Sequence, residues 1–547
     1  MANFFKDNPD LRFYLEKGLD WEPIVELTEY LGHSKDGFEK TEDALEFYGD
    51  ILDLIGQFVG DDVAPYGAQI DREGVHMKDG EVVFPERLQG IFDQIKALEL
   101  HGMCLPRELG GQNCPLAVYL MALEIFARAD VSVCAHFGFH GGLAMAMLVY
   151  SLREGTTEFD MEKGSITSTR WATYIEEIRQ GEAWGCMDIT EPDAGSDMAK
   201  MRTVGEQDED GNWFVTGQKI FITSGHGKYH FVIARTETIS NSDDPMAGLS
   251  GLSMFLVPTY SQDKDGNRTW IVSLDRLEEK LGHHGSATAA LTFDRAPADL
   301  VGKRGEGFQA MLMLMNNARL GVGFESLGCM EAALRAAKAY AAERGSMGKT
   351  IDRHEMIADY IEEMETDIAG IRAMSMYGTY HQELAQKIGL MVDTGLLESK
   401  LKDDWRAAQY KRRLKHHKAQ ARRATPLIKY IAAEKAVFMA QRAVQIHGGN
   451  GYTTDYPAEK LLRDAMVFPI YEGTSQIQSL MAMKDTLGSI IKDPKDFIKR
   501  MAQARWRSLS ARDPLERRVA KIQWLSLQTQ QHLMARTAAD KGRSLQG

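Results

Sequence analysis

Residues 212–223 read NWFVTGQKIFIT and follow the turn-forming pair Asp210-Gly211. Short runs of aromatic and β-branched residues beside glycine predict two β-strands here, residues 212–216 and 219–223. The apolar runs 231–234, 252–257 and 289–293 extend the series. The chain between about residues 185 and 299 is therefore predicted to form a small β domain.

The segments on both sides of this block have the helical period, with apolar residues three and four positions apart. The fold class is therefore predicted to be α+β, with an N-terminal helical domain, a central β-barrel or sheet domain, a C-terminal four-helix bundle and helical extensions at both ends. The predicted bounds are 1–40 for the N-terminal arm, 41–184 for the N-terminal domain, 185–299 for the β domain, 300–485 for the C-terminal domain with an insertion at about 385–428, and 486–547 for the C-terminal extension.

The composition is that of a multidomain globular protein, with 547 residues of which 44% are hydrophobic and 26% are charged. A net charge of −14 disfavours nucleic acid as the main partner. The richest apolar stretch, residues 138–150, is shorter than a membrane span and is broken by His140 and glycines, so no integral membrane association is expected. The N-terminus shows no export signal, which predicts a cytoplasmic protein.

The five cysteines are scattered and have no metal-ligand spacing, which predicts a reducing compartment and no metal site. Residues 400–423 contain ten lysines and arginines against two aspartates. Such a run is usually a solvated helix face. The alternative is a docking surface for an acidic partner or for coenzyme A phosphates.

The chemistry is concentrated in residues 463–478, RDAMVFPIYEGTSQIQ, where Glu472 follows an apolar run and precedes a glycine. A carboxylate in this position can be desolvated, which raises its pKa and makes it a usable base near neutrality. Glu472 or Thr474 can instead cap a helix that begins near Ser475, which is the more common role for such residues.

Four strings together resemble the signatures of the acyl-CoA dehydrogenase family. They are residues 190–197 (TEPDAGSD), 217–225 (GQKIFITSG), 445–452 (QIHGGNGY) and 471–478 (YEGTSQIQ). They occur in the family's order, and the resemblance covers about residues 45–485. Further strings, including Lys280 to Ser286, resemble the enlarged branch that contains methylthiopropanoyl-CoA dehydrogenases.

The resemblance implies α,β-desaturation of an acyl-CoA thioester with FAD as the cofactor. Glu472 would take the α-proton while the β-hydride passes to flavin N5, and the backbone N–H of Glu472 would polarise the thioester carbonyl. Some members place the base on another helix, but the corresponding residue here is Ala318, which cannot accept a proton.

The resemblance also assigns binding residues one position at a time. The FAD contacts are expected at Ile189, Thr190, Gly195, Ser196, Phe221, Thr223, Arg344, Ser346, Met347, Gln445, Gly448, Gly449, Thr474 and Gln476. The substrate contacts are expected at Ser196, Asn316, Arg319, Tyr471 and Gly473. Two positions depart from the family, since Phe221 replaces a flavin-shielding tryptophan and Met347 replaces a phenylalanine.

The substrate and partners are less closely defined by the resemblance. Residues 135–140 (AHFGFH) are expected at the floor of the acyl pocket and suit a bulky, branched or aromatic acyl group. His136 and His140 would meet a polar substituent there, or serve only as core histidines. Electron-transfer flavoprotein is the expected acceptor, and a homodimer or homotetramer is expected, with Arg344 and Ser346 reaching FAD across a subunit interface. The alternatives are an oxidase that uses O2 and a non-catalytic flavoprotein scaffold.

Overall fold

The structure is a computed structural model that describes residues 2–34, 36–160, 162, 164–237, 247–401 and 404–539. The chain divides into two compact units, residues 1–475 and 476–547. In the first unit, helices precede and follow a block of strands. This arrangement confirms the predicted fold class.

The part before the strand block is mostly helical. Its helices are α1 (Pro9–Phe13), α2 (Glu22–Thr28), α3 (Thr41–Phe58), α4 (Gly67–Glu73), α5 (Glu86–Ala97), α6 (Leu116–Ala129), α7 (Val131–Glu154) and α8 (Ala172–Arg179). Its short strands are β1 (His76–Lys78), β2 (Glu81–Val83), β3 (Glu158–Asp160) and β4 (Ser165–Ser168). Leu11, Trp21 and Ile24 of the N-terminal arm are buried in the same hydrophobic core as α6 and α9, the first helix after the strand block.

A seven-stranded sheet forms the central part of the first unit. Its strands are β5 (Gly185–Asp188), β6 (Val204–Gln207), β7 (Trp213–Thr223), β8 (Tyr229–Arg235), β9 (Leu252–Pro258), β12 (Val272–Leu277) and β13 (Thr288–Val301). The two remaining strands of this region, β10 (Tyr260–Gln262) and β11 (Arg268–Trp270), pair with each other.

The order along the sheet is β12-β13-β7-β6-β8-β5, and β9 pairs with β13 and β8. The two strands predicted in residues 212–223 form the single strand β7.

Long helices follow the sheet. They are α9 (Gly307–Glu343), α10 (Glu355–Asp393), α11 (Leu396–Lys400), α12 (Asp404–His447) and α13 (Ala458–Ala465), with the small hairpin β14 (Gly345–Ser346) and β15 (Lys349–Thr350) after α9. Helices α9, α10 and α12 pack closely, since a Cβ on Gly323 would lie 2.6 Å from the Ile428 side chain and one on Gly378 would lie 2.3 Å from it. The cations of α12 form a solvated helix face in part, with the half-buried Arg406 paired to Glu26 and the exposed Lys411 paired to Glu398. Lys402 and Asp403 of the basic segment lie outside the described residues.

The second unit follows the start of α14 (Ser475–Lys492) and contains α15 (Pro494–Ser510) and α16 (Pro514–Ala539). Its small core consists of Ile490, Phe497, Ala504 and Leu527. The unit is helical, as predicted for the C-terminal extension.

Helix α7 is longer than the apolar stretch that the sequence marks within it. At 24 residues it is long and apolar enough to cross a membrane by length and composition alone. In this structure 78% of its most apolar window is buried inside the protein, which is also the property of a core helix. Helix α7 is thus longer than the apolar stretch suggested, and the expectation of no integral membrane association stays a prediction.

A buried ion network joins the N-terminal arm to three helices. The guanidinium of Arg372 on α10 is 1% exposed and lies 2.5 Å from a Glu124 oxygen on α6 and 2.8 Å from a Glu331 oxygen on α9. Asp10 of α1 accepts a third contact at 2.6 Å. Burial favours a neutral guanidinium, but the two glutamates outweigh it and raise the pKa of Arg372. The network therefore fixes the positions of α1, α6, α9 and α10 together.

We predict that Arg372→Met lowers the free energy of unfolding by about 3–5 kcal/mol, because it leaves the Glu124 carboxylate buried without its counter-ion. Thermal and urea unfolding measure this change. Lys338→Met removes the exposed Lys338–Glu365 pair and is the matched control, expected to cost no more than about 1 kcal/mol. Equal destabilisation by the two substitutions would contradict the role of the network.

Candidate active site

Glu472 lies on a tight loop between α13 and α14. The loop is closed by backbone hydrogen bonds from Tyr471 N–H to Val467 O (3.2 Å) and from Ser475 N–H to Pro469 O (2.9 Å). Glu472 has φ +53° and Gly473 has φ +89°, so two successive residues are left-handed. A non-glycine residue in this region costs about 1–2 kcal/mol. Glu472 therefore lies three residues before the helix, in a strained conformation that the surroundings must maintain.

The carboxyl of Glu472 is enclosed by protein. The residue as a whole is half-buried, but its Oε2 has no contact with solvent. Burial raises the pKa of Glu472, while the cations of Arg319 and Lys429 lower it. The balance of these effects leaves the pKa above its ordinary value, which is a property of a general base.

Lys429 is a residue that the sequence analysis did not single out. It lies on α12, is fully buried, and its Nζ has no hydrogen-bond acceptor among the residues that the structure describes. Burial lowers its pKa to about 8, and the Glu472 carboxylate opposes that shift. A lone lysine in an apolar helix pattern gives no sequence signal for this placement.

Two predicted substrate residues, Asn316 and Arg319, lie on α9, and the charge of Glu472 acts on Arg319. Arg319 is 3% exposed, and its Nη1 donates to Asn316 Oδ1 at 3.3 Å. Burial lowers the pKa of Arg319, and the charge of Glu472 opposes that change. The structure therefore associates Arg319 with Glu472, and Asn316 with Arg319.

Tyr471 has a partner that the sequence analysis missed. Its hydroxyl donates to Oε2 of Glu325 on α9, and Cys134 Sγ on α7 lies 3.9 Å from Glu325 Oε1. Burial raises the pKa of Glu325 to about 7, and the charge of Glu472 adds to that increase. A second carboxyl group with a perturbed pKa thus lies close to the first.

Buried charges also hold the helix before the loop. Lys460 of α13 lies 2.9 Å from Asp130, which caps the N-terminus of α7, and 2.7 Å from Asp464. Asp464 in turn accepts the backbone N–H of His283 at 2.7 Å. A Cβ on Gly282 would lie 2.7 Å from the Arg463 backbone, so only glycine fits there. The string Lys280 to Ser286 therefore anchors α13.

The predicted flavin residues of the β domain form a second group. Lys219 of β7 is fully buried, and its Nζ donates to Glu191 (2.9 Å), Ile189 O (3.0 Å) and Ile233 O (2.8 Å). The backbone N–H of Ile220 donates to Thr190 O at 2.9 Å. These bonds fix Ile189 and Thr190 beside β7. Lys219 stands within the string 217–225, but its neighbours in sequence do not show that its side chain turns inward to these acceptors.

Phe221 is placed by a β-bulge. The register of β7 against β13 shifts between Lys219 and Ile222, and Phe221 within the shift has φ +59° and is 60% exposed. Bulges commonly redirect a side chain next to an active site. Thr223, two residues on, is half-buried at the end of the strand.

The remaining predicted dinucleotide residues lie on exposed parts of the first unit. Arg344, Ser346 and Met347 are exposed at the β14–β15 hairpin, with Met347 92% exposed. Gln445, Gly448 and Gly449 are exposed at the C-terminal end of α12, and a Cβ on either glycine would meet nothing within 4 Å.

The loop after β5 and the start of α14 hold the rest. Gly195 and Ser196 are exposed on that loop, and a Cβ on Gly195 would lie 3.9 Å from Thr190. Thr474 immediately precedes α14. Gln476 is the second residue of α14 and belongs to the second unit, so its role stays a prediction from sequence.

A cavity of about 620 Å³ lies between α7, α9 and α10. Gly142 and Met145 of α7 and Met313, Leu314 and Asn317 of α9 line it, and its lining does not include Glu472. Helical spacing places Cys134 and Gly138 on the same side of α7 as Gly142. The same spacing places Gly321 and Glu325 on the same side of α9 as Asn317. The cavity and the Glu325 site therefore lie along the same sides of these two helices, although Cys134 and Glu325 do not line the cavity.

His136 and His140 belong to the core in this structure. His140 Nε2 and His136 Nδ1 are 3.0 Å apart, and both residues are buried. The His136 ring lies 3.6 Å from the ring centroids of Phe92 and Trp184. Burial lowers the pKa of both histidines well below the ordinary value, which keeps them neutral. Of the two readings left open above, the geometry favours core histidines.

Strand pairing also brings together three residues that sequence spacing kept apart. Cys186 and Asp188 on β5 lie beside His230 on β8, with His230 Nδ1 2.8 Å from Asp188 Oδ2 and 2.9 Å from Cys186 Sγ. Their ligand atoms all lie within 4.8 Å of one another, and such a group can hold a metal ion. The short contacts here are those of a hydrogen-bonded cluster.

Comparison with known proteins agrees with this geometry. Sequence profiles of the acyl-CoA dehydrogenase N-terminal, middle and C-terminal domains match residues 49–158, 186–296, and 305–392 with 405–487. The chain belongs to the acyl-CoA dehydrogenase family. It is thus an oxidoreductase of the acyl-CoA dehydrogenase class, which confirms the predicted family and enzyme class.

Relatives and solved structures extend the match. The chain is 30% identical over 505 residues to 3-methylmercaptopropionyl-CoA dehydrogenase of Ruegeria pomeroyi, covering 90% of this chain and 77% of the relative. The fold is similar to that of Caenorhabditis elegans ACDH-11 in complex with C11-CoA, with TM-score 0.67, 20% identity and coverage of 98% and 82%. A chain solved in work on the electron transferring flavoprotein of Acidaminococcus fermentans matches with TM-score 0.61, 25% identity and coverage of 82% and 99%.

Proposed function

We propose that this family member is an FAD-dependent acyl-CoA dehydrogenase in which Glu472 removes the α-proton of the thioester. The observation that carries the proposal is the enclosed Glu472 carboxyl on a loop with two left-handed residues. Burial raises the pKa of this carboxyl, and the buried cations Arg319 and Lys429 lower it. Ala318 offers no competing base at the alternative family position.

The chain's own residues account for the proton transfer. Arg319 and Lys429 favour the ionised form of Glu472, which is the form that accepts a proton. Burial opposes the effect of these cations on the pKa of Glu472 and keeps the carboxylate basic. Tyr471 and Gly473 flank the base and would contact the acyl thioester, with the backbone N–H of Glu472 donating to the thioester carbonyl.

The residues present fit FAD. Bound FAD supplies the acceptor for the hydride that leaves the β-carbon. The exposed Phe221 ring offers a stacking face, and Thr190 and Thr223 are half-buried residues with hydroxyl groups. At Gly448 and Gly449 a phosphate would be able to approach the backbone closely, because a Cβ at either position would meet no atom within 4 Å.

The exposed hairpin supports a homodimer or homotetramer. Arg344 and Ser346 lie on it with Met347, a large apolar side chain that is almost fully exposed. A partner subunit that covers Met347 would receive the Arg344 cation near its own FAD pyrophosphate. Electron-transfer flavoprotein is the proposed electron acceptor, in keeping with the structural similarity to a chain from work on such a flavoprotein.

The acyl group is proposed to be non-linear or aromatic. The cavity of about 620 Å³, which Gly142 of α7 lines, leaves room for a bulky group between α7 and α9. His136 and His140 are not part of this proposal, since both are buried in the core.

We predict that anaerobic mixing with a suitable acyl-CoA bleaches the visible absorbance of the flavin, and that Glu472→Gln binds FAD but bleaches at least about 10³-fold more slowly. The reason is that glutamine cannot accept the α-proton. Stopped-flow absorbance measures both rates. Glu363→Gln, an exposed carboxylate on α10, is the matched control and should bleach at the wild-type rate.

An acyl-CoA panel in the same experiment tests the acyl group. Ring-bearing and branched thioesters should bleach the flavin fastest. Comparable rates for the straight-chain series from butyryl- to palmitoyl-CoA, with none for ring-bearing thioesters, would contradict the substrate class and leave the role of Glu472 intact.

We predict that reduced enzyme passes electrons to electron-transfer flavoprotein and produces little hydrogen peroxide in air. The measurement compares peroxide formed per acyl-CoA oxidised with and without the acceptor protein. One peroxide per acyl-CoA oxidised would instead identify an oxidase that uses O2.

We predict that Lys429→Met moves the acid limb of the kcat/KM profile to higher pH. Loss of this cation raises the pKa of Glu472, so more of the base is protonated at acid pH. Above about pH 8 Lys429 itself loses its proton, so the two profiles should converge there. Lys418→Met, an exposed position on the same helix, should leave the limb in place. A uniform loss of rate at every pH would indicate a packing role for Lys429 only.

A further inference from the structure

Helix α9 carries a carboxyl group that the proton transfer above does not use. Glu325 is half-buried between the buried residues Phe324 and Ser326. Its Oε2 accepts the hydroxyl of Tyr471, and its Oε1 lies 3.9 Å from Cys134 Sγ. One carboxyl group therefore joins α7, α9 and the loop that carries Glu472.

The contact with Tyr471 is the stronger of the two. Cys134 Sγ lies 3.3 Å from Leu123 O, so its single proton is directed to that carbonyl. The contact at 3.9 Å is then long even for sulfur. The hydroxyl of Tyr471 is a better donor than a thiol, and it donates directly to Glu325 Oε2.

Tyr471 is the residue immediately before the base, so holding its ring constrains the base. At the backbone, Tyr471 N–H is bonded to Val467 O, and its ring lies near-parallel to the Phe468 ring at 6.2 Å. The Glu325 bond fixes the far end of the ring. Because the backbone and the hydroxyl of Tyr471 are both hydrogen-bonded, the direction of the chain after Tyr471 is fixed. The next two residues, Glu472 and Gly473, are left-handed. Such a strained turn persists only where neighbouring contacts determine it.

The charge of Glu325 is compatible with this role. Burial raises its pKa to about 7, the Tyr471 hydrogen bond opposes that change, and the charge of Glu472 adds to it. When Glu472 is ionised below about pH 7, Glu325 is therefore mostly neutral. The anchor then places no second negative charge beside the base, and a neutral carboxyl oxygen still accepts the tyrosine hydroxyl.

We propose that Glu325 is a positioning residue for proton abstraction, which holds Tyr471 so that the left-handed turn presents the Glu472 carboxylate in one orientation. The inference rests on the proposed function, because it takes Glu472 as the base. It differs from a role for Glu325 as the base itself. That rival has to be tested, because Glu325 lies two helical turns from Ala318 on the same side of α9.

Three variants separate the hydrogen bond from the charge. Tyr471→Phe deletes only the donor, Glu325→Leu deletes the acceptor, and Glu325→Gln keeps an acceptor oxygen but cannot ionise. In anaerobic stopped-flow mixing with acyl-CoA, the first two should bleach the flavin about 10- to 100-fold more slowly, since small misplacement of a reacting group costs this much. The half-saturating acyl-CoA concentration should change far less than the limiting rate.

The conservative variant and the double variant give the sharper results. Glu325→Gln should bleach at least about fivefold faster than Glu325→Leu, because it keeps the acceptor. The double variant Tyr471→Phe/Glu325→Leu should be no slower than the slower single variant, because both remove the same bond. Glu363→Leu on α10 is the matched control for loss of a carboxylate and should behave as the wild type.

Hydrogen–deuterium exchange of the peptide that covers residues 467–475 gives a readout that needs no chemistry. Exchange should be faster in Tyr471→Phe and Glu325→Leu than in the wild type, Glu325→Gln and Glu363→Leu, because the anchor of the loop is lost. If the wild-type flavin fails to bleach with any acyl-CoA but this exchange pattern holds, the proposed function fails and the anchor stands.

Two results would overturn the inference. Loss of bleaching in Glu325→Gln as complete as in Glu472→Gln would show that Glu325 carries the proton. Wild-type bleaching in Glu325→Leu would show that the bond to Tyr471 does not position the base, whatever the exchange pattern.

Discussion

The burial of Arg372 is the constraint on which the helical part of the first unit depends. A fully buried guanidinium requires carboxylates around it, and here Glu124 and Glu331 come from α6 and α9. The three helices can therefore pack in only a few relative positions. Because α9 also carries Arg319 and Glu325, the same network indirectly places the cation and the carboxyl that surround the candidate base.

Buried charges also surround Glu472 at the candidate active site, where their effect differs from that around Arg372. Around Arg372 the ions neutralise one another, whereas around Glu472 the effects of burial and of the two cations oppose each other. A carboxylate that is only buried would stay protonated, and one that is only paired would be a weak base. The combination is consistent with proton abstraction near neutral pH, and Lys219 shows a third use, the fixing of backbone next to the expected flavin face.

Much of the fold was predictable because its signals are local. The change from helical to strand period at about residue 185 and back after residue 299 marks the sheet, and the confirmed family follows from four short strings. The bulge at Phe221 was not predictable, since a run of alternating residues does not show where the register against β13 shifts. The predicted pair of strands in residues 212–223 became one strand for the same reason, because pairing with β13 continues past Gly217. The roles of the individual site residues stay predictions.

The sequence by itself determined the fold class, the family and the identity of Glu472 as the candidate base, because periodicity and short motifs are properties of neighbouring residues. Only the tertiary structure decided the surroundings of that base. Glu325 lies 147 positions before Glu472 and Lys429 lies 43 positions before it. The electrostatic coupling of both residues to Glu472 arises from burial and charge, which depend on how α9 and α12 pack against the loop. No pattern along the chain predicts that packing, so the electrostatics of the site follow only from the tertiary structure.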